Sequence, residues 1–348
     1  MSQTAGQSSA SHYLPVREDW LARRQEAILE PALPIVDPHH HLWDRPDWRY
    51  MLPDLLADLN AGHNVIATVF VQARAFHRAS GPEEFRPVGE TEFVNGVAAM
   101  SASGRYGPAR VCAGIVGHAD LRLGARVQAV LDAHERAGGD RFRGIRHITA
   151  WDAEPSALNP GYPVPPRLME EAGFRDGLRT LAKNGMTFDA WLYHRQIREL
   201  TALARAVPEA RIVLDHVGGP LGIGQYAGKR AEVFAEWQSA IRELASCPNV
   251  FVKLGGLGMR INGFGFETAV DPPSSETLAA AWKPYIATCI EAFGAERCMF
   301  ESNFPVDKGS YSYVACWNAF KRLAADASAA EKTALFSGTA ARFYRLAL

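Results

Sequence analysis

The sequence predicts an α/β protein, a single-domain (β/α)8 TIM barrel preceded by an N-terminal helical extension. Short β-branched or apolar runs recur eight times along the 348 residues, and longer segments with helical periodicity lie between them. This alternation is typical of repeated βα units around a parallel sheet. No glycine-rich dinucleotide-binding fingerprint opens any of the helical segments, which favours a closed barrel over an open doubly wound sheet.

The extension is assigned to residues 1–32 and the barrel to residues 33–348. Residues 1–12 are polar and predicted to be disordered, whereas the spacing of apolar residues predicts a helix near 17–29. The eight predicted strands are 34–39, 64–72, 110–116, 142–148, 186–193, 210–216, 250–254 and 298–304. The clearest helical patterns cover 124–137, 168–184, 226–245 and 275–293.

The composition excludes several classes of protein. Hydrophobic residues make up 47% and charged residues 22% of the chain, which is typical of a globular domain with a large core. The net charge of −1 and the lack of a basic run argue against a nucleic-acid or anionic-membrane partner, so we expect a small-molecule substrate. Five scattered cysteines without a CxxC pair, and no apolar stretch of about 20 residues, predict a cytoplasmic protein without a membrane span. A homo-oligomer remains open.

Polar residues cluster where the predicted strands end. Active sites of (β/α)8 barrels form at the carboxyl ends of the strands, so these residues are candidates for the site. They are His39, His41, Arg146, His147, His194, Asp215, His216, Lys253, Glu301 and Asn303. The strand starts carry ordinary turn and apolar residues.

The first predicted strand ends in DPHHHLW. His39 and His41 are two residues apart and therefore face the same side of an extended strand, together with Asp37. Two converging imidazoles are suited to holding a divalent ion or polarising a substrate oxygen. The alternative is a solvated histidine-rich turn.

Asp215 and His216 end the sixth predicted strand, in IVLDH. Adjacent residues of a strand face opposite sides, so only one of them would point into the barrel mouth. The other would hydrogen-bond a neighbouring loop.

Arg146 and Lys253 lie within predicted strands, where a lone buried cation is unfavourable. Each therefore needs an anionic partner. We expect a structural or mixed role for Lys253 and substrate binding for Arg146. Arg74 and His147 are weaker candidates for substrate contacts.

The segments DPHHHLW, RGIRH, VLDHVGGP, FVKLGG and MFESNFP, in this order, resemble the metal-dependent amidohydrolase superfamily. The chain looks most like the lactonase-like branch, which includes 2-pyrone-4,6-dicarboxylate hydrolases and L-fuconolactonases, and the resemblance covers about residues 33–343. It implies the same barrel fold. It also implies that His39, His41 and His194 are candidate metal ligands and that Asp215 and His216 form the DH pair of the sixth strand.

The chain departs from this pattern at the eighth strand, where relatives usually carry an aspartate and this chain has Asn303. An asparagine cannot accept a proton at neutral pH. No lysine ends the fourth strand, so the resemblance implies at most one divalent metal, with zinc as the first choice. Activity without metal stays open, since three histidines would lack an anionic fourth ligand.

The resulting functional hypothesis is the hydrolysis of a lactone or similar cyclic ester of a small carboxylic or sugar acid. Arg146 would bind a substrate carboxylate or the developing oxyanion. Glu301 lies on the same strand face as Asn303 and, with Asp215 or His216, is the candidate general base. The alternatives are a zinc-dependent non-oxidative decarboxylase of an aromatic or unsaturated acid, and a non-catalytic binding barrel.

Overall fold

The computed structural model describes residues 13–46 and 48–348, so the disorder predicted for residues 1–12 falls outside the described residues. Eight parallel strands form one sheet in the order β1-β4-β5-β6-β7-β8-β9-β10. They are β1 (Ile35–His40), β4 (Val65–Val71), β5 (Arg110–Gly117), β6 (Phe142–Arg146), β7 (Thr187–Ala190), β8 (Arg211–Leu214), β9 (Val250–Leu254) and β10 (Cys298–Phe300). A small hairpin, β2 (Trp43–Arg45) and β3 (Trp48–Tyr50), follows the first strand.

The first and last strands meet beyond the end of β10 and nearly close the barrel. His40 and Phe304 form a parallel bridge. His41 N donates to Phe304 O at 2.8 Å, and Asn303 N donates to His39 O at 3.0 Å. The predicted single-domain (β/α)8 barrel is therefore confirmed.

Helices surround the sheet, and the main apolar core lies between the two layers. The helices are α1 (Glu18–Leu21), α2 (Leu52–Leu59), α3 (Val88–Ala102), α4 (Val127–Gly138), α5 (Ala172–Lys183), α6 (Ile197–Ala206), α7 (Arg230–Leu244), α8 (Ser275–Phe293), α9 (Tyr313–Leu323), α10 (Ala329–Thr333) and α11 (Thr339–Phe343). No helix within the described ranges has the length and apolarity that a bilayer crossing requires.

Several strands end earlier than the sequence pattern predicts. β7, β8 and β10 stop at Ala190, Leu214 and Phe300, so the polar residues that follow belong to the loops. Those residues depart from the ladder because they bond to other loops and to side chains inside the mouth. This places the candidate site residues at the rim of the barrel.

The helix expected near 17–29 is much shorter than predicted, since α1 covers only Glu18–Leu21. The flanking residues instead bond to distant segments: Trp20 Nε1 donates to Ala269 O at 3.2 Å, and Glu26 accepts from Ser275 N at 2.7 Å. These tertiary contacts replace the helical pattern. We call residues 13–29 the N-terminal strap.

The barrel interior is layered. Its amino end is filled by apolar side chains, including Val36, Val213, Met299 and Phe343. Tyr344 packs against these side chains, and its hydroxyl donates to Asp189 at 2.6 Å. The charged part of the interior begins at Asp189. The polar layer of the site therefore rests on a packed apolar floor.

Candidate active site at the carboxyl mouth of the barrel

A fully buried ion cluster forms the base of the site. Lys253 Nζ lies 2.6 Å from Asp189 and 3.0 Å from Asp215. Burial opposes the charge of Lys253, but Asp189 and Asp215 outweigh it and raise the lysine pKa. Burial likewise favours neutral Asp215, but Lys253, His216 and Arg146 lower its pKa. Asp215 is therefore an anion held by cations, which makes it a weak proton acceptor.

Glu301 joins two histidines that come from different segments, His39 of β1 and His216 of the loop after β8. Its Oε1 accepts from His216 Nδ1 at 2.7 Å and from His216 N at 3.0 Å. Its Oε2 lies 2.8 Å from His39 Nδ1. Burial opposes ionisation of Glu301, but His216 and His39 lower its pKa to about 2. Glu301 is thus an ionised residue that orients imidazoles.

The histidines of the first strand are held as neutral rings. Burial lowers the His39 pKa well below its usual value, and Lys253 adds to the effect. Burial and Arg146 do the same for His41. His41 Nδ1 donates to Val71 O at 2.7 Å, and this leaves Nε2 as the acceptor.

His216 is also fixed in one orientation. A carboxylate only accepts, so an Nδ1 proton of His216 points to Glu301, and Nε2 is then the ring atom that can accept a proton. The His39 ring centroid lies 4.5 Å from that of His216 and 4.9 Å from that of His41. Three imidazoles from two distant segments therefore meet, and two of them, His41 and His216, line a cavity.

Backbone conformation makes this arrangement depend on glycine. His216 and Val217 have φ values of 55° and 48°, in the left-handed region, so the chain turns sharply after β8. A Cβ at Gly256 would lie 2.4 Å from His216 Cβ and Cγ, and Gly256 itself has φ +67°. The GG of FVKLGG thus leaves room for the His216 ring.

Arg146 reaches from β6 into the same cluster. Its Nη1 lies 3.2 Å from His39 Nε2 and 3.7 Å from Asp215 Oδ2, and its Nη2 donates to Gln72 O. Its Nε is buried without a hydrogen-bond partner among the described residues. A guanidinium that lines the cavity with a free donor is suited to an anionic group.

Asn303 stands at the edge of the cavity with φ 56°. Its Nδ2 donates to Asp307 Oδ1 at 2.9 Å, and its buried Oδ1 has no hydrogen-bond partner within the described ranges. Asp307, whose pKa burial raises to about 6, also accepts from Gly258 N and Tyr311. Asp307 was not among the predicted site residues, although it lies only four residues after Asn303.

Asp37, expected on the same face as the two histidines, has a structural role. It accepts from Ser302 N at 3.1 Å, from Ser302 Oγ at 2.6 Å and from the Tyr313 hydroxyl at 3.0 Å. These bonds tie the first strand to the segment after β10. Asp37 therefore stabilises the barrel where its first and last strands meet.

Two candidates lie apart from the cluster. Arg74 donates to Gly161 O and stacks 4.2 Å from the Tyr162 ring. His147 accepts from Leu121 N at 3.2 Å. Neither residue lines the cavity that contains His41 and His216.

The three histidines predicted as metal ligands are not brought together as one set. His194 opens a 3₁₀ turn after β7, where its Nδ1 accepts from Leu221 N at 3.4 Å and its ring meets Tyr226. Among the described residues, the group whose ligand atoms lie within 4.8 Å of one another is His39, His216 and Glu301. This set was missed because it joins His39 of β1 with residues of the loops after β8 and β10, whose relative positions the sequence does not give.

The cavity wall is aromatic and positively charged. Its aromatic members are Tyr13, Trp43, Tyr162, Trp191 and Tyr193, and its charged members are Arg45, Arg146 and Arg260. No aspartate or glutamate of the described residues lines it. Tyr13 and Arg45 were not foreseen, because one precedes the predicted barrel and the other lies in a hairpin.

Histidines, carboxylates and an arginine at the carboxyl mouth of a (β/α)8 barrel define a hydrolase-type site. Comparison with known proteins agrees. The family profile described as "Amidohydrolase" matches residues 36–346, nearly the whole barrel. The chain therefore belongs to the amidohydrolase family, in its lactonase-like branch, and is a hydrolase.

Individual relatives support this assignment. The chain is 33% identical to the uncharacterized protein y4mH of Sinorhizobium fredii, over 90% of this chain and 98% of that one. It is 30% identical to the L-fucono-1,5-lactonase of Burkholderia multivorans, over 89% and 96%. A solved amidohydrolase from Burkholderia multivorans with bound zinc is 27% identical, with a TM-score of 0.69 over 90% of this chain and 99% of that chain.

The residues of the mouth fit a divalent cation. Two imidazoles and one carboxylate form a nitrogen and oxygen donor set that zinc accepts. Three buried carboxylates, Asp189, Asp215 and Glu301, face two cations, Lys253 and Arg146. The three carboxylates outnumber the two cations by one, and this excess of negative charge favours a bound cation.

Proposed function

We propose that this protein hydrolyses a lactone and releases the corresponding hydroxy acid. The observation that carries the proposal is the Glu301 and His216 pair, in which the carboxylate fixes the Nδ1 proton and leaves Nε2 as an acceptor in a residue that lines the cavity. The similarity to L-fucono-1,5-lactonases supports lactone chemistry at the level of the family. The individual lactone is a matter for experiment.

In the proposed reaction, His216 Nε2 accepts a proton from water as its oxygen attacks the lactone carbonyl carbon. The Arg146 donor stabilises the negative charge that develops on the carbonyl oxygen. The ring C–O bond then breaks, and the proton held by His216 returns to the leaving alkoxide oxygen. Asp215 and Lys253 keep the surrounding charges balanced and fixed.

His39, His216 and Glu301 are the residues that would hold a divalent metal. When bound there, zinc would supply Lewis-acid polarisation of a carbonyl oxygen. Holding a metal and accepting a proton are alternative uses of the His216 ring. Metal content by mass spectrometry, together with turnover before and after chelation, separates them: full activity of the metal-depleted protein supports His216 as the base.

The test of the function is a panel of neutral and carboxylated lactones, run on purified protein with and without added zinc. Formation of a ring-opened acid supports the proposal. Release of carbon dioxide from an aromatic acid would replace it with decarboxylation, and binding without turnover across the panel would indicate a non-catalytic barrel. Proton NMR distinguishes the ring-opened acid from the arene that decarboxylation would leave.

A further inference from the structure

We infer that the N-terminal strap completes the substrate pocket and that its Tyr13, with Arg45 of the β2–β3 hairpin, forms an outer subsite for a carboxylate of the substrate. The inference rests on the proposed function and deepens it by naming a substrate class, lactones that bear a carboxylate. The strap precedes residue 36, where the family match begins. The strap therefore lies outside the segment that the family profile matches.

The strap forms one wall of the cavity. Tyr13 and Leu14 line the same space as His41, Arg146 and His216. Asn159 Nδ2, from the loop after β6, donates to the Tyr13 hydroxyl at 3.1 Å. Two segments far apart in the chain therefore meet over the mouth of the site.

Anchors further along the strap keep this wall in place. Arg17 Nη2 donates to Glu267 O at 2.6 Å, and Arg24 Nε donates to Pro272 O at 3.1 Å. Trp20 is buried, and its indole donates to Ala269 O. Because these bonds begin four residues after Tyr13, the ring is held by a fixed segment of chain.

Arg45 gives the outer end of the cavity its charge. Its guanidinium lies 4.2 Å from the Trp43 ring and 5.8 Å from the Tyr13 ring, and its Nη2 donates to Ala73 O at 2.7 Å. Within the described residues no carboxylate forms an ion pair with Arg45. By contrast, Arg146 is already engaged with His39 and Asp215.

This arrangement favours a substrate that carries a negative charge. A guanidinium stacked on aromatic faces keeps its in-plane N–H groups available, and these match a carboxylate in a bidentate geometry. No aspartate or glutamate of the described residues lines the cavity to compensate Arg45. A lactone with a carboxylate would supply that anion, whereas a neutral polyol lactone would not.

The first experiment compares 2-pyrone with 2-pyrone-6-carboxylate, which differ by one carboxylate. We expect Arg45→Met to lower the ratio of kcat/KM for the carboxylated over the neutral lactone by about 10- to 100-fold, mainly through KM. Arg45→Lys should restore part of the ratio, and Tyr13→Ala should lower it less. The matched control is Arg49→Met, an exposed arginine of the same hairpin outside the cavity, which should keep the wild-type ratio. An unchanged ratio in Arg45→Met would overturn the inference.

A binding measurement separates this inference from the proposed function. Benzoate and benzyl alcohol are non-hydrolysable probes, and Trp43 and Trp191 in the cavity wall report binding by fluorescence quenching. Tighter binding of benzoate that is lost in Arg45→Met supports the subsite even if neither lactone is hydrolysed, in which case the proposed function alone fails. Equal benzoate affinity in the wild type and Arg45→Met overturns the subsite. Circular dichroism and thermal unfolding verify that each variant is folded.

Discussion

The inner cluster of the site and its outer wall are built in different ways. Inside the barrel, Lys253, Asp215 and Glu301 are fully buried, and each contacts two or more charged or titratable groups. At the outer wall, Tyr13 and Arg45 are half-buried and contact ring faces and uncharged hydrogen-bond partners. Under the proposed function, the barrel would therefore fix the chemistry, while the strap and the loops would adjust recognition.

The largest effect should come from the pair that orients the proposed base. We expect His216→Asn and Glu301→Gln to lower kcat by about 100- to 10,000-fold, because each removes the proton acceptor or its orientation. Steady-state kinetics on the best lactone of the panel measures this loss. The control His147→Asn, outside the cavity, should keep most of the activity. Full turnover in either inner variant would assign the base elsewhere.

The inner cluster should also dominate stability. Lys253→Met leaves Asp189 and Asp215 buried without their shared cation, so we expect a loss of about 3–5 kcal/mol in the free energy of unfolding. Urea denaturation followed by fluorescence measures it. The exposed Lys283→Met on α8 serves as the control and should change stability by less than about 0.5 kcal/mol. If Lys253→Met lost as little stability as the control, Lys253 would not be stabilising the two buried carboxylates.

A smaller, pH-dependent effect is expected from Asp307, which orients Asn303 at the boundary between the two regions. Burial raises its pKa from 3.8 to about 6 in the folded protein. Its contribution to stability is therefore fully present below pH 4 and is lost as the pH rises through 6, by at most about 3 kcal/mol. The free energy of unfolding is measured from pH 4 to 8 for the wild type and for Asp307→Asn. As the pH rises, the wild type should lose stability relative to the variant. A difference that does not vary with pH would contradict the raised pKa.

The smallest effect is expected at the rim outside the cavity. Arg74→Ala removes a bond to Gly161 O and a stacking contact with Tyr162, both at an exposed position. We expect a change in stability of less than about 0.5 kcal/mol and no change in selectivity between the two pyrones. A marked loss of selectivity would extend the outer subsite from Arg45 to Arg74.

Most of the barrel could be predicted from the sequence. The predicted strand at 250–254 and the predicted helix at 275–293 agree with β9 and α8 residue for residue. Local periodicity was sufficient there, because both elements pack with one regular apolar face. The predicted strand ends were less accurate, since loop contacts decide where a ladder stops.

The candidate site was predicted in part. His39, His216 and Glu301 were predicted as site residues from their places at strand ends, and the structure places their ligand atoms within 4.8 Å of one another. His194 was predicted to join His39 and His41 but turns toward Tyr226. Residue type and position in the repeat could indicate polar strand ends but not where each ring points.

The sequence by itself determined the alternation of strands and helices and the end of the barrel at which polar residues collect, because both follow from local patterns. Only the tertiary structure decided which side chains hydrogen-bond each other, which cations balance Asp215, and that Tyr13 lines a cavity together with residues as far along the chain as Asn303. The reason is physical: charge pairing and ring orientation depend on distances of a few ångströms between segments whose separation in the chain carries no such information.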